Sequence, residues 1–229
     1  MTKRHFSPPD DLDLDKLFRG WSDFESLKDW KDAGFRTLRA KEGKIFVLRH
    51  KGEDRYIFKK YGSDNGRSAN EQLENYQNRV AGAALLRKHI TDNDLRRVVV
   101  PQKWICALPA ESGSSRNSPY VLIVEHHRIL GAEESQERYR HLDAETAREI
   151  CTILFAFRGL DLTNVPSRNA PFTRDGKIAF IDTEYVKLSS KKLRSRRKYY
   201  DKYLNIMLSK HRRLAEDVWK ELLKTTDLK

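Results

Sequence analysis

Residues 164–186, Asn-Val-Pro-Ser-Arg-Asn-Ala-Pro-Phe-Thr-Arg-Asp-Gly-Lys-Ile-Ala-Phe-Ile-Asp-Thr-Glu-Tyr-Val, constrain the fold more than any other stretch of the chain. Asp175-Gly176 is a tight-turn dipeptide, and the run from Lys177 to Ile181 after it reads as a strand, so the segment predicts a hairpin. That hairpin sets an amide, Asn169, and a carboxylate, Asp182, on its two arms, thirteen residues apart. Both offer the hard oxygen that a divalent cation such as magnesium prefers, with phosphate oxygens left to complete its shell. Asn169 and Asp182 are therefore the candidate metal ligands.

The 229 residues allow one substantial core or two small lobes. No apolar run approaches the roughly 20 residues that span a bilayer, which argues against an integral membrane protein. Met1-Thr-Lys-Arg-His-Phe-Ser-Pro-Pro lacks the apolar core of a secretory signal, so a cytoplasmic location is expected. Cys106 and Cys151 have no cysteine neighbours, and they read as buried thiols rather than as a disulfide or a zinc site. The formal charge of +12 is concentrated late: from Lys187 onward, 14 Lys and Arg face 5 Asp and Glu. Such asymmetry points to an anionic partner at residues 187–213, an acidic protein, nucleic acid or anionic lipid.

Along the chain, Ser22-Asp-Phe-Glu25 has capping-box spacing ahead of Leu27 and Trp30, with Gly34 placed to stop that helix. A helical N-terminal extension over 1–34 is expected. Residues 44–49 and 54–61, rich in Ile, Val, Phe and Tyr, read as two strands joined by the turn at His50-Lys-Gly-Glu. Ser68-Ala-Asn-Glu71 is a second capping box, opening a helix to about Lys88. Strands follow at 98–101, 104–108 and 120–125, and the β-rich part, 35–127, closes at His126-His127. A helical part, 128–229, begins there, with Asp143 capping a helix that Gly159 ends and a last apolar stripe from Tyr200 to Leu222. The expected class is α+β.

The order of these elements, together with the 164–186 segment, resembles the protein-kinase-like superfamily: a β-rich N-lobe over a truncated helical C-lobe. In that resemblance Asn169 ends the catalytic loop and Asp182 stands where the metal-binding Asp of D-F-G stands, which implies Mg and ATP as cofactors. Tyr56-Ile-Phe-Lys59 is similar to V-A-I-K, giving Lys59 to the phosphates, with Lys60 pointing the opposite way along the strand. Glu74, or Glu71 one turn earlier, is the helical partner implied for Lys59. Val121-Leu-Ile-Val-Glu125-His126-His127 is similar to the adenine-binding hinge, which makes Glu125 and His127 candidate cofactor contacts.

The chain departs from the family at the position that takes the substrate proton. Five residues before Asn169 the family loop carries Asp, and here the residue is Asn164, which cannot accept a proton at neutral pH. Asp161 and Glu184 are the nearest carboxylates that would substitute. No glycine-rich phosphate loop and no Ala-Pro-Glu motif are present. The resemblance thus implies an atypical kinase of weak activity or a pseudokinase. Two alternatives stay open: a small glycolipid or small-molecule kinase, and a non-catalytic binder acting through Lys191-Lys-Leu-Arg-Ser-Arg-Arg-Lys198, with Tyr199, Tyr200 and Tyr203 as stacking residues.

Overall fold

A computed structural model describes residues 8–18, 24, 26–41, 45–62, 65–108, 118–160, 166–188 and 209–226. Its helices are α1 (Leu14–Phe18), α2 (Leu27–Asp32), α3 (Ala69–Asp92), α4 (Ala132–Arg140), α5 (Ala144–Ala156), α6 (Pro166–Asn169) and α7 (Arg212–Thr226). The strands are β1 (Phe35–Lys41), β2 (Ile45–His50), β3 (Glu53–Tyr61), β4 (Val98–Val99), β5 (Lys103–Ala107), β6 (Tyr120–Glu125), β7 (Phe157–Arg158), β8 (Ile178–Ala179) and β9 (Lys187–Leu188). The chain divides into two units, one of residues 1–80 with 102–126, the other of 81–101 with 127–229. Residues 1–34 thus fall in the first unit and residues 81–101 in the second.

The first unit is built on a five-stranded antiparallel sheet in the order β1-β2-β3-β6-β5. Alternation along β3 sends Tyr56 and Phe58 to one face and Ile57 and Tyr61 to the other. The first face packs on Phe18, Phe24, Trp30 and Phe35; the second packs on Tyr76 and Val80 of α3. The middle of β6, Val121-Leu-Ile-Val124, is apolar because the strand lies inside the sheet with both faces covered.

Helix α2 starts one turn later than the sequence suggested. Ser26, not Ser22, is its N-cap: Ser26 Oγ accepts from Asp29 N at 3.3 Å, and the Asp29 carboxylate accepts from Ser26 N at 2.7 Å. Gly34, at φ +87°, ends it as expected. The segment before α1 is latched to β3, where Tyr56 donates to Asp11 Oδ1 at 2.5 Å and Arg55 bonds both Asp11 and Glu53.

In the second unit, α5 is the central helix. Ile150, Cys151, Ile153, Leu154 and Phe155 are buried, and Trp219 of α7 meets Phe155 edge-on at 4.9 Å. Burial pushes the Cys106 and Cys151 thiols up to about 12, which makes them inert core residues. The buried Glu149 carboxylate receives the backbone N–H groups of Arg96 and Arg97 at 2.8 and 2.7 Å and so fixes the entry to β4. β4 pairs in parallel with β8. α5 ends at Ala156, three residues before Gly159, because Phe157 leaves the helix to pair with Leu188 and is itself buried. Among the described residues no helix is long and apolar enough to cross a membrane.

Candidate functional site

The hairpin at residues 169–182 is built as its turn chemistry demands. Gly176 takes φ +87° and donates its N–H to Thr173 O at 3.1 Å, while Thr173 N–H bonds Lys177 O at 2.7 Å. Further along, Ala179 N–H reaches Pro171 O at 2.9 Å and Ile181 N–H reaches Asn169 O at 2.9 Å. The last of these bonds fixes Asn169 opposite the residue that precedes Asp182. The outer edge of the second arm is held as well, by Ile178 N–H to Arg97 O at 2.8 Å and Phe180 N–H to Val99 O at 2.9 Å. Asn169 and Asp182 are each half-buried at the base of this ladder.

After Asp182 the backbone turns sharply, with Val186 N–H bonding Thr183 O at 3.4 Å. Thr183 and Glu184 are buried, while Tyr185 is 64 % exposed. Two glycines confine this turn. A Cβ on Gly82 of α3 would stand 2.1 Å from Thr183 O, and one on Gly159 would stand 1.9 Å from Tyr185 O. Gly159 also has φ +80°. Neither glycine was singled out from sequence for this purpose. An isolated glycine inside the helical Val-Ala-Gly82-Ala-Ala is the signal that marks a close backbone approach.

Lys59 is half-buried on the α3-facing side of β3, the side of Ile57 and Tyr61, and its own carbonyl accepts from Tyr76 Oη at 2.9 Å. Lys60 faces the other way, as alternation requires, and is buried with its ammonium on Ser118 O. The pairing implied for Glu74 is not formed: Glu74 is exposed and makes no ion pair among the described residues. Leu73, Tyr76 and Val80 occupy the sheet-facing stripe of α3, and Glu74 falls about 200° around the helix from Tyr76. Glu71 serves instead as the capping-box partner of Ser68, accepting from its backbone N–H at 2.7 Å.

Glu125 donates its N–H to Gln102 O at 2.9 Å and accepts Gln102 N–H on its carboxylate at 3.0 Å. His126 N–H bonds Arg55 O at 2.8 Å. Both amides are thus engaged within the first unit; His127 begins the second and is half-buried. Asp161 and Asn164 lie outside the described residues, as do the basic run Lys191–Lys198 and Tyr199, Tyr200 and Tyr203.

No protein-family model matches this sequence, and no curated protein matches it either. Among the described residues no group of three or more His, Cys, Asp or Glu side chains is arranged to hold a metal ion by itself. An amide and a carboxylate suit a cation that a phosphate ligand helps to hold, since magnesium is commonly bound through one or two protein oxygens plus substrate phosphates.

Proposed function

We propose that the chain is a divergent protein-kinase-like protein that binds a nucleotide together with magnesium, and that it is either a weak phosphotransferase or a pseudokinase. The observation that carries this reading is the hairpin ladder, whose Ile181 N–H to Asn169 O bond at 2.9 Å holds the two candidate ligands at the foot of adjacent arms. Asn169 and Asp182 would hold the ion, whose charge would offset that of the phosphates. The resemblance assigns Lys59 to the phosphates. Asn164 in place of the proton-accepting Asp argues for slow chemistry.

Thermal unfolding with saturating ATP and magnesium tests the reading. A ligand at a hundred times its dissociation constant stabilises the folded state by about 2.7 kcal/mol. Wild type should therefore melt several degrees higher with Mg-ATP, and Asp182→Asn should lose most of that shift. The reading fails if Mg with ATP, ADP or AMP gives neither a shift nor a heat of binding.

A further inference from the structure

The tip of the hairpin carries a feature that nucleotide binding does not explain. Segment 128–130 lies along its first arm, with Ile129 bridged to Thr173, Leu130 N–H on Phe172 O at 2.7 Å and Arg174 N–H on Arg128 O at 3.2 Å. This register sets Arg128 beside Arg174. Arg138 reaches the same tip from α4, its guanidinium 5.9 Å from the Phe172 ring centre and 3.9 Å from where a Gly176 Cβ would be. Lys177 completes the group, and all four cations are exposed.

The carboxylates of α4 nearest the tip are engaged elsewhere. Glu137 takes Arg140 at 2.6 Å and His141 at 3.0 Å, and Glu134 accepts the Gly131 N–H at 3.4 Å. Among the described residues Arg138, Arg174 and Lys177 have no ion-pair partner. Asp175 is the one carboxylate on the tip, held below the usual range chiefly by the Thr173 hydroxyl.

Two local rules are broken together here. Arg128 has φ +47°, a left-handed conformation that costs a non-glycine residue about 1–2 kcal/mol. Arg138, Arg174 and Lys177 gather like charges around the same turn, and like charges held close together repel. Strain and repulsion concentrated in one rigid place are the mark of a surface kept for a ligand rather than for the fold. Ile129, 40 % exposed, lies among the cations and adds an apolar contact that a bare phosphate backbone would not use.

We propose that the tip formed by Arg128, Ile129, Arg138, Arg174 and Lys177 docks an acidic peptide segment of a partner protein, one that carries carboxylates around an apolar residue. The surface is separate from the Asn169–Asp182 pair and does not depend on the nucleotide reading.

The test is fluorescence anisotropy on the full chain, with a labelled peptide of alternating Asp and Leu, its Asn-for-Asp counterpart and a labelled single-stranded RNA as probes. The acidic peptide should bind more tightly than the Asn peptide. Changing Arg138, Arg174 and Lys177 together to Glu should weaken it at least tenfold, while neutralising Arg194, Arg196, Arg197 and Lys198 leaves it within twofold. Arg128→Gly, which relieves the backbone strain, should also weaken binding without lowering the melting temperature. The proposal is overturned if the acidic peptide does not bind, if the triple variant folds and binds it as wild type does, or if the tip variants reduce RNA binding and leave peptide binding unchanged.

Discussion

The carbonyl of Thr183 lies so close to Gly82 that a Cβ there would come within 2.1 Å of it. Helix α3 thus packs directly on the backbone that follows Asp182, and the candidate ligand is placed by main-chain contact rather than by a side chain that could repack. Gly159 does the same at Tyr185.

Gly82→Ala separates this contact from helix propensity. In an exposed helix interior the change would stabilise by about 1 kcal/mol. Here the methyl group must displace backbone, and overpacking of that kind typically costs about 1–3 kcal/mol. A net loss of about 2 kcal/mol in urea unfolding is expected. Gly66→Ala, at φ +72° with nothing within 4 Å, should cost only the left-handed backbone term of about 1–2 kcal/mol and leave Mg-ATP binding intact. If Gly82→Ala is as stable as wild type, the close approach is not what fixes the turn.

Glu149 provides a second check on how the hairpin is anchored. Its carboxylate accepts two backbone N–H groups, and each bond to a charged acceptor contributes about 1.5–3 kcal/mol. Glu149→Ala leaves both amides without their acceptor and should lower stability by about 3 kcal/mol. Glu149→Gln keeps one acceptor oxygen and should lose roughly half as much. Hydrogen exchange at Arg96 and Arg97 should quicken in both variants, and unchanged protection there would remove Glu149 from this role.

Much of the sheet was legible because its pattern is local. β2, β3 and β6 announce themselves by alternation or by a continuous apolar run, and the hairpin by Asp175-Gly176. β1 was not read as a strand because a register shift between Thr37 and Arg39 interrupts its period and Arg36, Arg39 and Lys41 break up its apolar residues. α4 was missed for a related reason: Ala-Glu-Glu-Ser-Gln-Glu-Arg-Tyr-Arg buries only Ser135, which leaves no apolar stripe to count. That Asn169 lies across the hairpin from the residue before Asp182 was legible because one turn determines it. The relation of Glu74 to Lys59 was not, because which stripe of α3 meets the sheet is decided by packing of Tyr76 and Val80.

Two histidines set an expected pH dependence. Burial depresses His50 and His89 below the ordinary 6.5, and His89 Nε2 is enclosed without a hydrogen-bond partner beside the Phe157 ring at 4.9 Å. The unfolded chain then binds protons that the folded chain resists. Stability is full above the unfolded value and falls as pH drops below 6.5 toward the depressed folded values. The urea midpoint should decrease steadily from about pH 7.5 to about pH 5.5, above the range where carboxylates titrate. His89→Leu should flatten part of that slope. A midpoint that is constant over this interval in wild type would contradict the burial of both rings.

The sharpest test of chemistry is Asn164→Asp. In the proposed kinase-like register this residue occupies the position of the proton acceptor, and a general base contributes about 10²–10⁴-fold to rate. If Asn169 and Asp182 hold Mg-ATP, restoring the carboxylate should raise ATP hydrolysis or autophosphorylation by at least tenfold, measured by phosphate release and intact mass. Nucleotide affinity should change little, because the acceptor touches the attacking hydroxyl rather than the bound phosphates. Asp182→Asn in the Asn164→Asp background should abolish the gain, which ties it to the metal site. If wild type already turns over quickly and Asn164→Asp destroys that activity, the proton acceptor lies elsewhere, and Asp161 and Glu184 become the first carboxylates to replace by alanine.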